Sequence, residues 1–338
     1  MVWLKFTACV AIIFFAGIRL ARYGDAIARK TGLGRIWVGL VLLAIITSIP
    51  ELVTSLSAVT LVKLPDLSVG NLFGSCTFNL TLLVWLDIMS QRPVLSQVSP
   101  RHHTLSASFG ILLGTVAAGG ILAGEKFPEL TLGWVNVPSI MILVLYIGGV
   151  WWIFRTERRY QLQPIEAVSP QYKELPTRTV YLRFSLAAAV IIGAGIWLPF
   201  IGDEIAATYA WQASFVGTLF VAITTSLPEL SVTIASAQLG ALDMGVANIL
   251  GSNMFDIAII TPADLAFRRG PILTFVSRAH LLTVVIYIIM TLVVMAGLRF
   301  PLKRKTFRFV SWYSIVLIGL YVFSIFGVYH RLLTSGIG

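Results

Sequence analysis

Charge is scarce in this chain. Only 12% of its 338 residues are Asp, Glu, Lys or Arg, about half the share found in water-soluble domains. That excludes a soluble globule of this length, because so few polar side chains cannot cover so large an apolar interior. There are two cysteines, Cys9 and Cys76, each inside an apolar run. They exclude a disulfide framework and a CxxC zinc pattern. No His or Cys pair has a spacing suited to zinc or copper. The N-terminus lacks a basic n-region and an A-x-A cleavage site, so the first apolar run reads as an uncleaved helix.

What is present is apolar length. Hydrophobic residues make up 57% of the chain, and a spanning helix needs about 20 of them in a row. Ten stretches qualify, near 3–20, 36–60, 70–90, 104–124, 136–154, 180–200, 211–238, 246–267, 279–298 and 308–328. The predicted fold is therefore an all-α membrane protein of ten transmembrane helices, with the lipid bilayer as its solvent. Tryptophans cluster at the predicted span ends, as an interfacial aromatic belt does.

The net charge of +10 does not indicate a nucleic-acid partner, because the basic residues sit in loops beside apolar spans. With ten spans the loops alternate sides, and 18 of the 25 Lys and Arg residues fall on one of them. The positive-inside rule makes that side cytoplasmic. Both termini are then extracytoplasmic in a multi-pass cell-membrane protein. The long polar 155–179 segment is a cytoplasmic linker at the middle of the chain, and Lys303-Arg304-Lys305 is a solvated cytoplasmic patch.

The two halves of the sequence repeat. Residues 46–52 read ITSIPEL and residues 224–230 read TTSLPEL; residues 74–79 read GSCTFN and residues 251–256 read GSNMFD. Gly39 pairs with Gly217 and Glu51 with Glu229 at an offset of 178. After one residue of slippage, Asp66 pairs with Asp243, Asn71 with Asn248, Ser75 with Ser252 and Asp87 with Asp264 at 177. So sustained a register indicates duplication. Each copy holds five helices, residues 1–154 and 180–338. An odd number of spans sends the second copy into the membrane from the other side, which gives inverted repeats with a site expected at the midplane between them.

The chemistry concentrates where the repeats match best. Glu51 and Glu229 lie in mid-span, where an ionisable group is expensive and usually functional. Each follows a proline, which withholds a donor from the carbonyl four residues earlier, here Ile46 and Thr224. Such carbonyls persist at membrane depth only where something satisfies them. Thr47, Ser48, Thr225 and Ser226 add hydroxyls, although a proline kink with hydroxyl back-bonding is the plainer reading of either segment alone. Ser75 with Asn79, and Ser252 with Asp256, stand four residues apart on one helix face each. Together these groups form an all-oxygen, anionic set suited to hard cations such as calcium, which takes 6–8 oxygen ligands. Asp87 and Asp264, near span ends, read as structural caps or loop contacts. His102 and His103, beside Arg101, read as an interfacial surface.

The two Thr-Ser-x-Pro-Glu segments, each followed by Gly-Ser-x-x-Phe-Asn/Asp, resemble the alpha repeats of the sodium/calcium exchanger family within the calcium/cation antiporter superfamily. The resemblance spans both halves and implies a secondary transporter. By it, Glu51, Glu229, Thr47 and Thr225 would bind calcium. Ala44, Ala222, Ser48, Ser226, Ser75 and Ser252 would serve sodium, and Asn79 and Asp256 would form the central polar pair. Ile46 and Thr224 stand where the family usually has glycine, and Cys76 where asparagine is usual. The expected function is calcium-for-sodium exchange by alternating access, with calcium and sodium as substrates and no cofactor. A proton-coupled exchanger of the same fold stays open, as does a cation channel. A membrane enzyme would want His, Lys or Arg beside the carboxylates, and none is predicted inside the membrane.

Overall fold

A computed structural model of the chain describes residues 1–31, 43–127, 131–160, 176–238 and 240–335. The opening of the second expected span, with Gly39, and most of the 155–179 linker lie outside the described residues.

Fourteen helices are described: α1 (Val2–Thr31), α2 (Ala44–Thr47), α3 (Ile49–Ser57), α4 (Pro65–Met89), α5 (Pro100–Lys126), α6 (Val137–Tyr160), α7 (Thr177–Tyr209), α8 (Ala213–Val216), α9 (Ala222–Thr225), α10 (Leu227–Gln238), α11 (Leu242–Ala258), α12 (Ile260–Ala266), α13 (Ala279–Arg299) and α14 (Trp312–Ser335). Short π turns extend α3 and join α8 to α9. A two-residue hairpin, Thr131–Leu132 with Val135–Asn136, precedes α6. Among the described residues eight helical segments are long and apolar enough to cross a membrane. The bent pair Ala213–Thr225 and Leu227–Gln238 makes a ninth, and Ile49–Val62 is a shorter apolar helix at the place of the second span. The ten expected stretches each correspond to one of these.

Several helices start earlier than the apolar runs that announce them. Pro65 and Pro100 sit in the first turns of α4 and α5, where a missing N–H costs nothing and the fixed φ helps. Asp66 adds a negative charge at the positive end of α4. The early start of α5 overturns the expectation for His103. It lies in the helix, fully buried, and is not part of an interfacial surface.

Burial separates centre from rim. The Leu242–Ala266 and Pro65–Met89 segments are 94% and 72% buried, whereas α1, α6 and α14 are 28% buried over their apolar windows. The rim exposes Val144, Leu186, Val190 and Phe323, an outward apolar surface that lipid solvates. α1 packs along α7, joined by Cys9, Ile13, Ala194, Leu198 and Ile201.

At the centre, α4 lies against the α8–α9 segment at the distance that glycine permits. A Cβ on Gly74 would stand 2.4 Å from the Thr218 carbonyl oxygen and 2.7 Å from the Ala222 Cβ. Gly74→Ala is therefore expected to force the helices apart at a cost of about 1–3 kcal/mol, read as a lower thermal midpoint in detergent. An unchanged midpoint would contradict this packing.

Candidate cation site

Both broken spans are interrupted at a serine. Ser48 (φ −86°, ψ 14°) separates α2 from α3, and Ser226 (φ −85°, ψ 8°) separates α9 from α10. The interruption stands two residues before each proline. Pro50 and Pro228 thus occupy the first turns of new helices rather than kinking old ones. In the second span the two arms meet at 43°.

The breaks aim their side chains across the repeats. The Ser48 hydroxyl donates to Glu229 Oε1 at 3.0 Å, and the Ser226 hydroxyl donates to Glu51 Oε1 at 3.0 Å. Ser75 adds a bond to Glu51 Oε1 (3.4 Å), and Ser252 adds one to Glu229 Oε1 (3.2 Å). Asn79 Nδ2 donates to Asp256 Oδ2 at 3.4 Å. Asn253 Nδ2 donates to the Cys76 carbonyl at 3.1 Å, and the Cys76 thiol faces the Asn253 carbonyl at 3.6 Å. In these last two pairs a residue touches its own repeat mate. Contacts of the form A-to-B and B-to-A are what a two-fold pairing of like surfaces produces.

The threonines behave differently from the serines. Thr47 donates to the Leu43 and Ala44 carbonyls, and Thr225 to those of Val221 and Ala222. For Thr47 the back-bonding reading holds, whereas the Thr225 hydroxyl has Asn71 Oδ1 nearer, at 2.9 Å, than either carbonyl of its own helix, at 3.2 Å. The Ala44 and Ala222 carbonyls accept the Ser48 and Ser226 amides at 3.0 and 3.1 Å. The Ala222 oxygen also accepts Ser75 at 3.4 Å.

Glu51, Glu229, Asn79 and Asp256 are completely buried. Among the described residues no Lys, Arg or His lies within 4 Å of these carboxylates, and Glu51 Oε2, Glu229 Oε2, Asn79 Oδ1 and Asp256 Oδ1 have no hydrogen-bond partner. An unpaired buried carboxylate costs several kcal/mol. The site therefore requires a positive charge, metal ion or proton, brought from outside. The three carboxylates do not converge on one point: among the described residues no group of three acidic, His or Cys side chains is close enough to hold a single metal ion.

Asp66, Asp243, His103 and His280 form a feature that the motifs alone did not reveal. Asp66 Oδ1 accepts from His280 Nε2 (2.9 Å) and the Ser277 amide (2.7 Å). Asp243 Oδ1 accepts from His103 Nε2 (2.9 Å) and the Ser99 amide (2.7 Å). Each bridge ties the start of a central helix to the start of a helix from the other half. His103 and His280 are themselves 177 residues apart, the same offset as the aspartates.

Buried oxygen-bearing side chains at crossed, broken helices, inside a bundle of membrane-length helices, fit the class to which the family match assigns the chain, multi-pass membrane transporters of cations and not enzymes. Comparison with known proteins agrees. Solved structures of the sodium-calcium exchanger NCX_Mj superpose on the chain with a TM-score of 0.63 and 22% identity, covering 96% of this chain and 99% of that one. The inner membrane protein YrbG of Escherichia coli is 28% identical over 277 residues, 76% of this chain and 80% of that protein. The sodium/calcium exchanger MaX1 of Methanosarcina acetivorans is 24% identical over 270 residues, 70% of this chain and 74% of its own length. Residues 1–155 and 179–330 match the sodium/calcium exchanger protein family, and the chain belongs to that family.

Proposed function

We propose that the protein exchanges calcium for sodium across the cell membrane by alternating access, with Glu51 and Glu229 as the paired calcium ligands. The observation that carries this reading is the reciprocal pair of bonds from Ser48 to Glu229 and from Ser226 to Glu51. Each carboxylate keeps one oxygen without a partner, and the two breaks carry both carboxylates to the junction between the halves. The Thr47 and Thr225 carbonyls complete the calcium shell. Ala44, Ala222, Ser48, Ser226, Ser75 and Ser252 provide the oxygen-rich flanks that sodium occupies, and Asn79 with Asp256 lies between them.

Coupling follows from charge. The empty carboxylates are too costly to carry through a low-dielectric barrier, so the protein changes face only when calcium or sodium neutralises them. Residues 1–154 and 180–338 act as the two repeats, inverted in the bilayer and joined by a cytoplasmic 155–179 linker, with both termini outside. α1 and α7, which pack together at the rim, slide past the central helices. A proton on the unpartnered carboxylate oxygens would neutralise the site as well as a metal ion does, which supports a proton-coupled variant as the second reading.

The test is radiolabelled calcium flux in proteoliposomes, with sodium and pH gradients imposed separately. Uptake driven by sodium is the expected result. Uptake driven only by pH moves the protein to the proton-coupled reading. Folded protein with no calcium flux under either gradient sinks the calcium assignment.

A further inference from the structure

The two halves match in sequence but differ in one set of hydrogen bonds. In the first half, α3 runs antiparallel to the start of α4. Glu51 meets Ser75, and one turn further on Ser55 meets Asn71 at 3.0 Å. In the second half, Glu229 meets Ser252 in the same way, and Ser236 lies beside Gly245, where a Cβ would stand 3.0 Å from it. That register places Thr233 opposite Asn248, as Ser55 stands opposite Asn71.

Asn71 is fully engaged. Its Nδ2 donates to Ser55 Oγ and to the Glu51 carbonyl (3.5 Å), and its Oδ1 accepts from Thr225 Oγ1 at 2.9 Å. It thereby ties the glutamate-bearing helix of its own half to the threonine-bearing segment of the other. Asn248 is just as buried, yet among the described residues neither of its amide atoms has a partner, nor have Thr233 Oγ1 and Ser236 Oγ. Thr47, the counterpart of Thr225, turns its hydroxyl to the Leu43 and Ala44 carbonyls. A fully buried amide with no partner is costly and calls for an explanation.

We propose that Asn71 and Asn248 are paired positioning residues that engage in turn during transport, Asn71 in the conformation seen here and Asn248 in the opposite one. In the opposite conformation Asn248 takes the mirror set: Thr233 Oγ1, the Glu229 carbonyl and Thr47 Oγ1. One amide is idle in each state, so neither state is favoured by this device alone, and the ion-bearing breaks are held on one side at a time. The proposal rests on the alternating-access reading above and adds to it the residues that set which half is held. A two-state element of this kind responds to a single substitution by a shift in population.

The experiment is hydrogen–deuterium exchange of the full-length protein in nanodiscs, comparing wild type, Asn71→Ala and Asn248→Ala. In the wild type, residues 227–238 are expected to exchange faster than residues 49–62. Asn71→Ala is expected to speed exchange in 49–62 by about tenfold, the scale of losing neutral hydrogen bonds, and to slow it in 227–238. Asn248→Ala is expected to leave 227–238 within twofold of wild type and to slow 49–62. Changes of the same sign in both segments from both variants would overturn the proposal, as would no asymmetry in the wild type. If Asn71→Ala does not fold, Asn71→Ser takes its place with the same expected signs, and the Asn248→Ala result stands independently. This readout needs no transported ion. Absent calcium flux with the asymmetry intact would refute the ion assignment alone, and normal flux without the asymmetry would refute this inference alone.

Discussion

Glu229→Gln is expected to reduce sodium-driven calcium uptake by at least about 100-fold, equivalent to roughly 2.7 kcal/mol. Glutamine keeps the shape, and its amide oxygen still accepts from Ser48 and Ser252, which stand 3.0 and 3.2 Å from Oε1. The negative charge is lost, and an NH2 donor takes the place of the unpartnered Oε2. That charge, paired with the one on Glu51, draws a divalent ion out of water, because the serine, asparagine and carbonyl oxygens that complete the site offer only dipoles. Glu51→Gln is expected to be equally damaging, since Ser226 and Ser75 hold Glu51 as Ser48 and Ser252 hold Glu229. The folded protein is not expected to lose stability in ion-free buffer. Replacing an uncompensated buried charge with a neutral isostere is neutral or stabilising. A thermal midpoint at or above wild type, together with abolished flux, separates loss of a ligand from loss of fold. Flux within twofold of wild type in either variant would remove the glutamates from the transport site.

Much of this site was legible in the sequence because duplication made it visible twice. The Ser-x-Pro-Glu spacing placed a hydroxyl, a break and a carboxylate within one helical turn. The matching GSxxF(N/D) segments gave the groups those carboxylates meet, and Ser48, Ser226, Ser75 and Ser252 are all found on the glutamates. The position of each break was less legible. Proline suggested a kink around itself, but a proline tolerated in a helix's first turn marks a start, and the interruption falls on the preceding serines. The Thr47 hydroxyl satisfies its own helix, a local option open to any Thr in a helix, whereas Thr225 reaches Asn71 in the other half. Cross-repeat partners were hidden for a different reason. Periodicity reports which face of a helix a residue occupies but not what lies opposite. His103 therefore resembled a loop residue until the early start of α5 brought it to Asp243. The offset alone held the missing signal, because His103 and His280 share the spacing of Asp66 and Asp243.

The fold's own heaviest polar anchor is Asp87, and Asp87→Ala is expected to destabilise the protein by about 3–5 kcal/mol. The carboxylate is fully buried and gathers five donors. Oδ1 accepts from the Val94 amide (3.1 Å), the Ser311 hydroxyl (3.0 Å) and the Tyr313 hydroxyl (2.7 Å). Oδ2 accepts from the Ser311 amide (2.7 Å) and the Ser314 hydroxyl (2.9 Å). These bonds pin the end of α4 to the loop after it and to the start of α14. Alanine would strand two backbone N–H groups and three hydroxyls, each unsatisfied group costing about 1–3 kcal/mol before relaxation. Its repeat mate Asp264 accepts the Ile272 and Asn136 amides at 2.6 and 2.8 Å, so Asp264→Ala is expected to cost roughly half as much. Thermal midpoints of the purified variants give the order directly, with Asp87→Ala below Asp264→Ala and both below wild type. A transport role makes the opposite demand: the midpoints would stay at the wild-type value while calcium flux fell, and that result would move these aspartates from scaffold to ion path.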